Sequence, residues 1–569
     1  MAKDKVTILG LNDSNSAAAI IQDGKLIAFA REERFNRIKF DDAYPTRTVN
    51  YCLKEAGVSL KEVDHIVFAW NPGHELEPQD SPAAVRYHKH FLHYIPNNLI
   101  RHIGGDKKHK RITGISQEIR FMEGNIDLHF LPHHHCHAAS SFLVSPYDKA
   151  AILTMDAYGD DITSEFFTGE GNKITSIGRT LYPYSMGQVY AGVTQFLGYR
   201  ANSDEWKVMG LAPYGNLDYY DKFERIIWFD KEIGELRFDL DCFMFYLWHP
   251  RRYSDKFIKL FGAERYPDEE LTERHWNIAA SFQRRVEDVV LEMCQCLYEK
   301  TGVDTLCLAG GVAMNSKMNG RILSESPFYK LWVQPSADDA GGSLGACFYY
   351  WNQILGKERD FIMDHDYWGP GYSNEEIKQT LDDSIIKYEY LEDIEKEAAQ
   401  ALVDNKVICW FQGRMESGQR ALGNRSILGD PRDPKMKEKI NKLVKHREWY
   451  RPFAPSVMEE SQSEFFENSM SSPFMQLVLP VRKDKQAVIP AVTHMDGSGR
   501  LQTVQKDVNP RYWKLINEFK KLTGVGLVLN SSFNDNDEPI VCTPKDAIRT
   551  FFGTGLHELY IGNYKVRKL

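Results

Sequence analysis

Short apolar blocks separated by polar loops set the rhythm of the first third of the chain. Residues 5–10 predict a buried strand; the polar loop NDSNS follows, then AAAII, a QDG turn and KLIAFA. Two apolar runs on either side of Asp23-Gly24 predict a β-hairpin. Residues 46–56 have helical spacing, and 66–70 read as another strand. The pattern recurs further on. Strand AAILTMD (150–156) and residues 163–168 predict a second hairpin around a polar turn. A long amphipathic helix is predicted over 279–300, with Phe282, Val286, Val289, Val290, Met293 and Leu297 on its apolar stripe. After it come a buried strand, Gly310-Gly311 and a helix, then a matching strand-to-helix piece at 332–346. Strands alternating with helices predict an α/β fold built from duplicated hairpin and helix units.

Breaks in this rhythm divide the chain. Residues 72–125 are rich in His, Tyr, Asn and Pro with weak periodicity, and read as an insertion that shapes substrate choice. Residues 356–372, ending near WGPGY, read as a linker, and SNEE at 373–376 is a capping box that starts a helix. The expected organisation is therefore a domain over 1–355, a linker over 356–372, and a smaller α/β domain over 373–569.

Size and charge narrow the class. A chain of 569 residues, 43% hydrophobic and 26% charged, is long enough for two folded domains. A net charge of −9 excludes a broad nucleic-acid-binding surface, and leaves only local patches such as KKHKR at 107–111, itself readable as a solvated loop. Nine cysteines without paired metal spacing imply reduced thiols and a cytoplasmic setting. The first residues read as a strand rather than a signal peptide, and no apolar run reaches membrane-spanning length.

Chemistry concentrates in LPHHHCHAASSF followed by LTMDAYGD. On a helix His133 and His137 stand one turn apart on one face and can share a divalent cation, with Asp156 arriving from a strand end as an anionic ligand. Asp339, at the end of another strand, can complete the shell. The plainer reading is a solvated histidine loop. His134 and His135 cannot share that face, and read as supporting, phosphate-facing or exposed groups. Arg34, Arg37 and Lys39 suit an anionic ligand or a salt-bridged surface. Gly310-Gly311 suits a nucleotide or a simple tight turn. Arg414, Arg420, Arg425 and Arg432 lie among glycines, followed by Lys445, Arg447, Arg451 and Arg500, which together predict an oxyanion site.

Taken in order, EERFNRIK, HHHCHAASSF with LTMDAYGD, EWKVMGLAPYG, LAGGVAMN, ADDAGGSLGA, GRMESGQRALGNRSILGDPR, VKHREWYRPFAPSV and LNSSFNDNDEPIV resemble the O-carbamoyltransferases of the nodulation-U and cephamycin type, and cover nearly the whole chain. The resemblance implies an N-terminal domain of the actin-like ATPase superfamily (Kae-like) and a C-terminal YrdC-like domain that makes carbamoyl adenylate from ATP and carbamoyl phosphate. It implies a metal, iron(II), on His133, His137, Asp156 and Asp339. It implies anion binding by Arg420, Lys445, Arg451, Arg500, Asn530 and Ser532, and adenylate binding in the N-terminal domain by Lys39, Gly310, Gly311 and Asn315. The carbamoyl group would pass to an acceptor hydroxyl on a natural product, a sugar or a hydroxymethylated nucleobase. Nucleic acid and a homodimer stay open as partners.

One departure stands out. The family pattern carries His-Asp in the first loop, and here the loop reads NDSNSAAAI, with no histidine. Asp13 is the expected substitute base. The missing histidine also motivates an alternative, a nucleotide-binding regulatory or sensor protein that has lost transfer. A sugar kinase on the same fold is disfavoured, because the C-terminal arginines would have no role.

Overall fold

The computed structural model describes residues 5–70, 117–121, 124–247, 250–468 and 470–568. These divide into two compact units: Met1–Ala28 with Asp42–Met363, and Phe29–Asp41 with Asp364–Leu569. The basic run 107–111 and most of the expected insertion lie outside the described residues.

The first unit contains β1 (Thr7–Asn12), β2 (Ala17–Gln22), the start of β3 (Lys25–Arg31), β4 (His65–Phe68), β5 (Gln117–Phe121), β6 (Gly124–Phe130), β7 (Lys149–Gly159), β8 (Ile162–Glu170), β9 (Lys173–Leu181), β10 (Ile227–Asp230), β11 (Glu235–Phe238), β12 (Thr305–Ala309) and β13 (Lys330–Val333). Its two larger sheets run β3-β2-β1-β4-β6-β5 and β13-β12-β7-β8-β9. Each begins with successive strands folded back on one another, and then adds parallel strands beside the first of them. β1 pairs antiparallel with β2 and parallel with β4, and β4 is parallel to β6. β7 pairs antiparallel with β8 and parallel with β12, which is parallel to β13. The unit is thus an internal duplication of one α/β plan. Strands with buried neighbours on both sides, such as Thr305–Ala309, are continuous apolar runs, as parallel sheets require.

Several expected elements appear where the patterning puts them. The helix Thr46–Ala56 is present, and the predicted long helix extends over Glu273–Thr301. Asp23 and Gly24, with φ of 48° and 76°, turn the chain between β2 and β3 in the manner of a tight hairpin. β5 and β6 correct one boundary: residues 117–121 and 124–125, expected in the insertion, belong to the sheet itself. Glu205 and Lys207, within EWKVMGLAPYG, sit on the short helix Glu205–Leu211.

Two equivalent helices, His133–Phe142 after β6 and Ala340–Phe348 after β13, pack against each other. A Cβ on Gly345 would lie 1.8 Å from the carbonyl oxygen of Cys136, so only glycine permits this crossing. The crossing brings the histidine helix next to Asp339, which precedes the second helix.

The second unit is built on a nine-stranded sheet that includes Ile408–Phe411, Arg425–Gly429, Ala454–Met458, Ser498–Val504 and Leu527–Ser532. Its helix Asn374–Asp383 starts with the expected capping box of Ser373 and Glu376. The chain enters this unit twice. Phe29–Asp41 belongs to it, although it falls within the expected 1–355 domain.

Candidate active site

His133 and His137 are one turn apart on a helix whose polar side chains are almost fully buried. Burying imidazoles is costly unless each nitrogen has a partner. The Nδ1 of His133 lies 3.0 Å from the Ala69 carbonyl oxygen, which accepts a hydrogen bond only from the Nδ1–H tautomer. The Nε2 lone pair therefore points away, toward the Nε2 of His137 at 2.9 Å. Asp156 Oδ2 stands 3.0 Å from His137 Nε2 and 3.5 Å from His133 Nε2. Asp339 Oδ1 stands 3.4 Å from both, is buried, and has no hydrogen-bond partner. The four ligand atoms lie within 4.8 Å of one another.

Those separations are the edges of a coordination polyhedron. Ligand distances of about 2.1 Å give edges of about 3.0 Å in an octahedron and about 3.4 Å in a tetrahedron. Two imidazoles and two carboxylates suit a first-row divalent cation, and the imidazoles disfavour calcium or magnesium, which take oxygen ligands. The electrostatics agree. Burial acts to lower the His133 pKa, but the nearby carboxylates of Asp156 and Asp339 hold it well above the usual value. Burial would raise the Asp156 carboxyl, yet His133 and His137 hold it below the usual carboxylate range. A carboxylate held ionised, as Asp156 is, beside inward-facing nitrogens suits a cation.

Local structure explains the aim of each ligand. Asp160 Oδ2 accepts the backbone N–H of His133 at 2.9 Å, anchoring the helix start. The β7–β8 register shifts between Met155 and Gly159, and this irregularity turns Asp156 toward the helix. A Cβ on Gly159 would lie 1.9 Å from the His133 ring. Asn12, at the end of β1, donates from Nδ2 to the Asp339 carbonyl oxygen at 2.8 Å and to Ser14 at 2.6 Å. The first loop is thereby tied to a ligand residue, and Asp13 is buried within it. His134 corrects the expectation of a supporting or exposed group. It is a core histidine, satisfied by Thr154 Oγ1 at 2.8 Å and the Ile162 carbonyl at 3.0 Å. His135 packs edge-on against Phe167 and Tyr349, and burial lowers its pKa to about 4.

Gly310 and Gly311 follow β12 beside β7. At Gly310, with φ of 90°, a Cβ would lie 2.1 Å from the Met155 carbonyl oxygen, so sheet packing already requires the glycine. Asn315 caps the next helix through Oδ1, which accepts from Met318 N at 3.1 Å, and exchanges hydrogen bonds with Gln283.

The second unit holds a cation cluster. Burial, with Arg447, Arg451 and Lys39, depresses the Lys445 pKa well below its usual range. Burial, with Arg420, Arg447 and Arg451, does the same for Arg500. Glu448 stands 3.5 Å from Arg451, and Asp535 acts against the depression at Lys445. Gathered guanidinium groups of this kind suit a polyanion. Not every expected arginine joins. Arg425 is fully buried, donates to the carbonyls of Gln412 and Pro370, and lies 3.7 Å over the Phe411 ring. Arg432 pairs with Asp430, and Arg414 binds the carbonyls of Trp368 and Gly369. Lys39, which the resemblance assigns to the N-terminal domain, lies in the second unit. Lys445 Nζ reaches the Ser532 carbonyl at 2.6 Å and Asn534 Oδ1 at 2.8 Å, and Ser532 Oγ donates to the same Oδ1. Asn530 Nδ2 is spent on Ala421, Ser456 and Gln502, leaving only its Oδ1 unpaired.

Glu416 is a residue that the sequence reading misses. Its Oε1 accepts the backbone N–H groups of Leu422, Asn424 and Arg425 at 2.7, 2.8 and 3.2 Å, fixing the turn that carries Arg420. The only signal for it is its place inside the glycine-rich run.

Known proteins are similar to the chain along nearly its whole length. Residues 7–348 match the family description "Carbamoyltransferase N-terminus" and 399–568 match "Carbamoyltransferase C-terminus". The Synechocystis protein described as uncharacterized protein sll1178 is 40% identical, over 99% of this chain and 96% of its own length. Nodulation protein NolNO of Sinorhizobium fredii is 36% identical, over 97% of this chain and 79% of its own. Nodulation protein U of the same species is 27% identical, over 91% and 92%. Among solved structures, component A of Acidaminococcus fermentans (R)-2-hydroxyglutaryl-CoA dehydratase is similar at a TM-score of 0.31 and 14% identity, over 62% of this chain and 99% of that one. The chain belongs to the carbamoyltransferase family, a family of enzymes.

Proposed function

We propose that the protein is an ATP-dependent O-carbamoyltransferase working in two steps. In the first, the second unit takes carbamoyl phosphate and ATP. Carbamoyl phosphate gives up its phosphate to water, the carbamate oxygen bonds to the α-phosphorus of ATP, and pyrophosphate leaves. In the second, the carbamoyl carbon of the adenylate bonds to an acceptor hydroxyl oxygen, and AMP leaves with the electrons of the broken bond.

The observation that carries this reading is the gathering of Arg420, Lys445, Arg447, Arg451 and Arg500 close enough to depress one another's pKa values. Both substrates of the first step are polyanions, and fixed cations stabilise charge as it develops on their oxygens. In the first unit His133, His137, Asp156 and Asp339 hold a divalent cation, proposed as iron(II). When bound, it supplies Lewis-acid polarisation of an oxygen. His133 is kept in the ligating tautomer by Ala69, and the buried helix excludes water around the ligands. Asp13 is the proposed base for the acceptor proton. The repeated strand order of the first unit supports an actin-like (Kae-like) ATPase fold, and a YrdC-like fold is proposed for the second. The acceptor is a hydroxyl of a natural product, a sugar or a hydroxymethylated nucleobase.

The test is mass spectrometry of the protein with ATP, carbamoyl phosphate and iron(II), and no acceptor. Carbamoyl adenylate and pyrophosphate that vanish in Arg420→Ala are expected. Absence of both with every divalent metal would leave a binding or sensing role.

A further inference from the structure

One face of the second unit's sheet carries a buried polar relay. Ser456 pairs with Gln502 on one neighbouring strand. Ala454, two residues earlier and so on the same face, pairs with Asn530 on the other. The Leu422 carbonyl oxygen orients the Gln502 amide by accepting from Nε2 at 2.8 Å. Gln502 Oε1 therefore turns inward, where it accepts from Ser456 Oγ and, at 3.1 Å, from Asn530 Nδ2. Asn530 Nδ2 also donates to Ser456 Oγ at 3.0 Å and to the Ala421 carbonyl oxygen at 2.9 Å. Three acceptors around two hydrogens fix which end of this amide is nitrogen. Gln502, Ser456 and Asn530 are all buried.

The relay seats the turn that carries Arg420, because Asn530 and Gln502 hold the consecutive carbonyls of Ala421 and Leu422. It also leaves Asn530 Oδ1 turned from these partners, buried and without a hydrogen bond. A buried oxygen in that state costs free energy until a ligand supplies an N–H. Arg500 stands two residues before Gln502 on the same strand, hence on the same face, and its buried Nε is an unpaired donor. An unmet acceptor and an unmet donor thus share one face. A phosphoryl ester or anhydride dianion offers acceptors only, and can use the donor alone. A carbamoyl group adds the N–H that the acceptor lacks.

We propose that the relay of Gln502 and Ser456, residues to which the family resemblance gives no part, determines substrate choice in the second unit: it fixes the Asn530 amide so that Oδ1 accepts an N–H from the amino group of the carbamoyl donor. The proposal rests on the carbamoyl phosphate reading above. Asn530 then serves the uncharged end of the substrate and not an anion, because its own N–H groups are already given to the protein. Gln502 and Ser456 are positioning residues. Acetyl phosphate has the size and charge of carbamoyl phosphate, with a methyl group in place of the amino group. That methyl group would leave Oδ1 buried and unpaired, which is how a polar site rejects an analogue of the same shape.

The experiment is calorimetric titration of the full chain with carbamoyl phosphate, acetyl phosphate and inorganic phosphate, each alone and again with α,β-methylene ATP present. Wild-type protein is expected to bind carbamoyl phosphate about 10- to 100-fold more tightly than acetyl phosphate, the effect of one buried acceptor met or unmet. Asn530→Leu removes the oxygen and is expected to bring the two affinities together. Gln502→Leu removes one tether of the Arg420 turn and one of the three acceptors that hold the amide. It is expected to weaken all three ligands and to narrow the ratio as well. General structural damage would weaken the ligands alike and leave the ratio as it was, which would overturn the proposal. Should Asn530→Leu fail to fold, the wild-type ratio and Gln502→Leu still decide. Wild-type protein that binds none of the three under either condition would remove the anion site itself. Equal wild-type affinity for carbamoyl and acetyl phosphate, or a preference that survives in Asn530→Leu, would overturn the relay's role while sparing that site.

Discussion

His133 and His137 face each other Nε2 to Nε2 at 2.9 Å inside a helix-packed interior. Two neutral imidazoles cannot satisfy one another with two lone pairs, so a proton or a cation has to sit between them, and Asp156 and Asp339 raise the demand for positive charge. A cation that binds only the folded chain stabilises it by about 2.7 kcal/mol at a hundred times its dissociation constant. Anaerobic addition of iron(II) is therefore expected to raise Tm in wild-type protein and leave His137→Ala unmoved, with metal analysis giving about one cation per chain only in the former. An equal Tm rise in both proteins would place the metal elsewhere.

Gly159 makes a sharper test of the same centre, because it is no ligand. A Cβ there would lie 1.9 Å from His133 Cδ2. Overpacking of this kind costs about 1–3 kcal/mol, and here relief requires the ring to move. Gly159→Ala is expected to lower both Tm and iron(II) affinity. A fall in Tm with unchanged affinity would mean that the backbone yields instead of His133.

The legible parts of this molecule were those governed by local pattern. The helix Thr46–Ala56, the turn at Asp23-Gly24 and the capping box of Ser373 and Glu376 follow from spacing and residue type alone. The spacing of His133 and His137 on one helix face was legible for the same reason. Most of what escaped depends on distant partners. Gly124–Phe130 pairs with β4, and its clean alternation of Ile126, Leu128 and Phe130 with polar residues was masked by the aperiodic His- and Pro-rich stretch that precedes it. Nothing local tells whether 29–41 packs on one body or the other. The arginines of the glycine-rich run look alike in sequence, but Arg425 stacks on Phe411 and binds backbone carbonyls, groups that every residue carries and no motif can announce.

Glu416 is expected to separate oxygen from charge. All three of its backbone partners converge on Oε1. Glu416→Ala strands three buried N–H groups, at about 1–3 kcal/mol each. Urea unfolding is expected to show a loss of about 3 kcal/mol or more, with weaker phosphate binding because the Arg420 turn loosens. Glu416→Gln keeps an oxygen in place and is expected to stay within about 1 kcal/mol of wild type. Equal losses in the two variants would show that the charge, not the acceptor, holds the turn.

Asp366 gives the fold a pH dependence of defined sign. Its carboxyl is buried, accepts from Gly418 N at 2.8 Å, and has its pKa pushed from 3.8 to about 7, chiefly by burial and further by Glu416. Below pH about 4 both folded and unfolded chains hold this proton. Between pH about 4 and about 7 the unfolded chain releases it while the folded chain keeps it, so stability falls as pH rises through that window and levels off above it. Roughly three pKa units correspond to a total on the order of 4 kcal/mol. Asp366→Asn keeps an acceptor for Gly418 but cannot ionise. Urea unfolding at pH 4, 5.5, 7 and 8 is expected to show the variant matching wild type at pH 4 and exceeding it by a few kcal/mol at pH 8. Parallel pH profiles for the two proteins would mean that Asp366 ionises in the folded chain as readily as in the unfolded one, and that the burial cost is met by a group other than its proton.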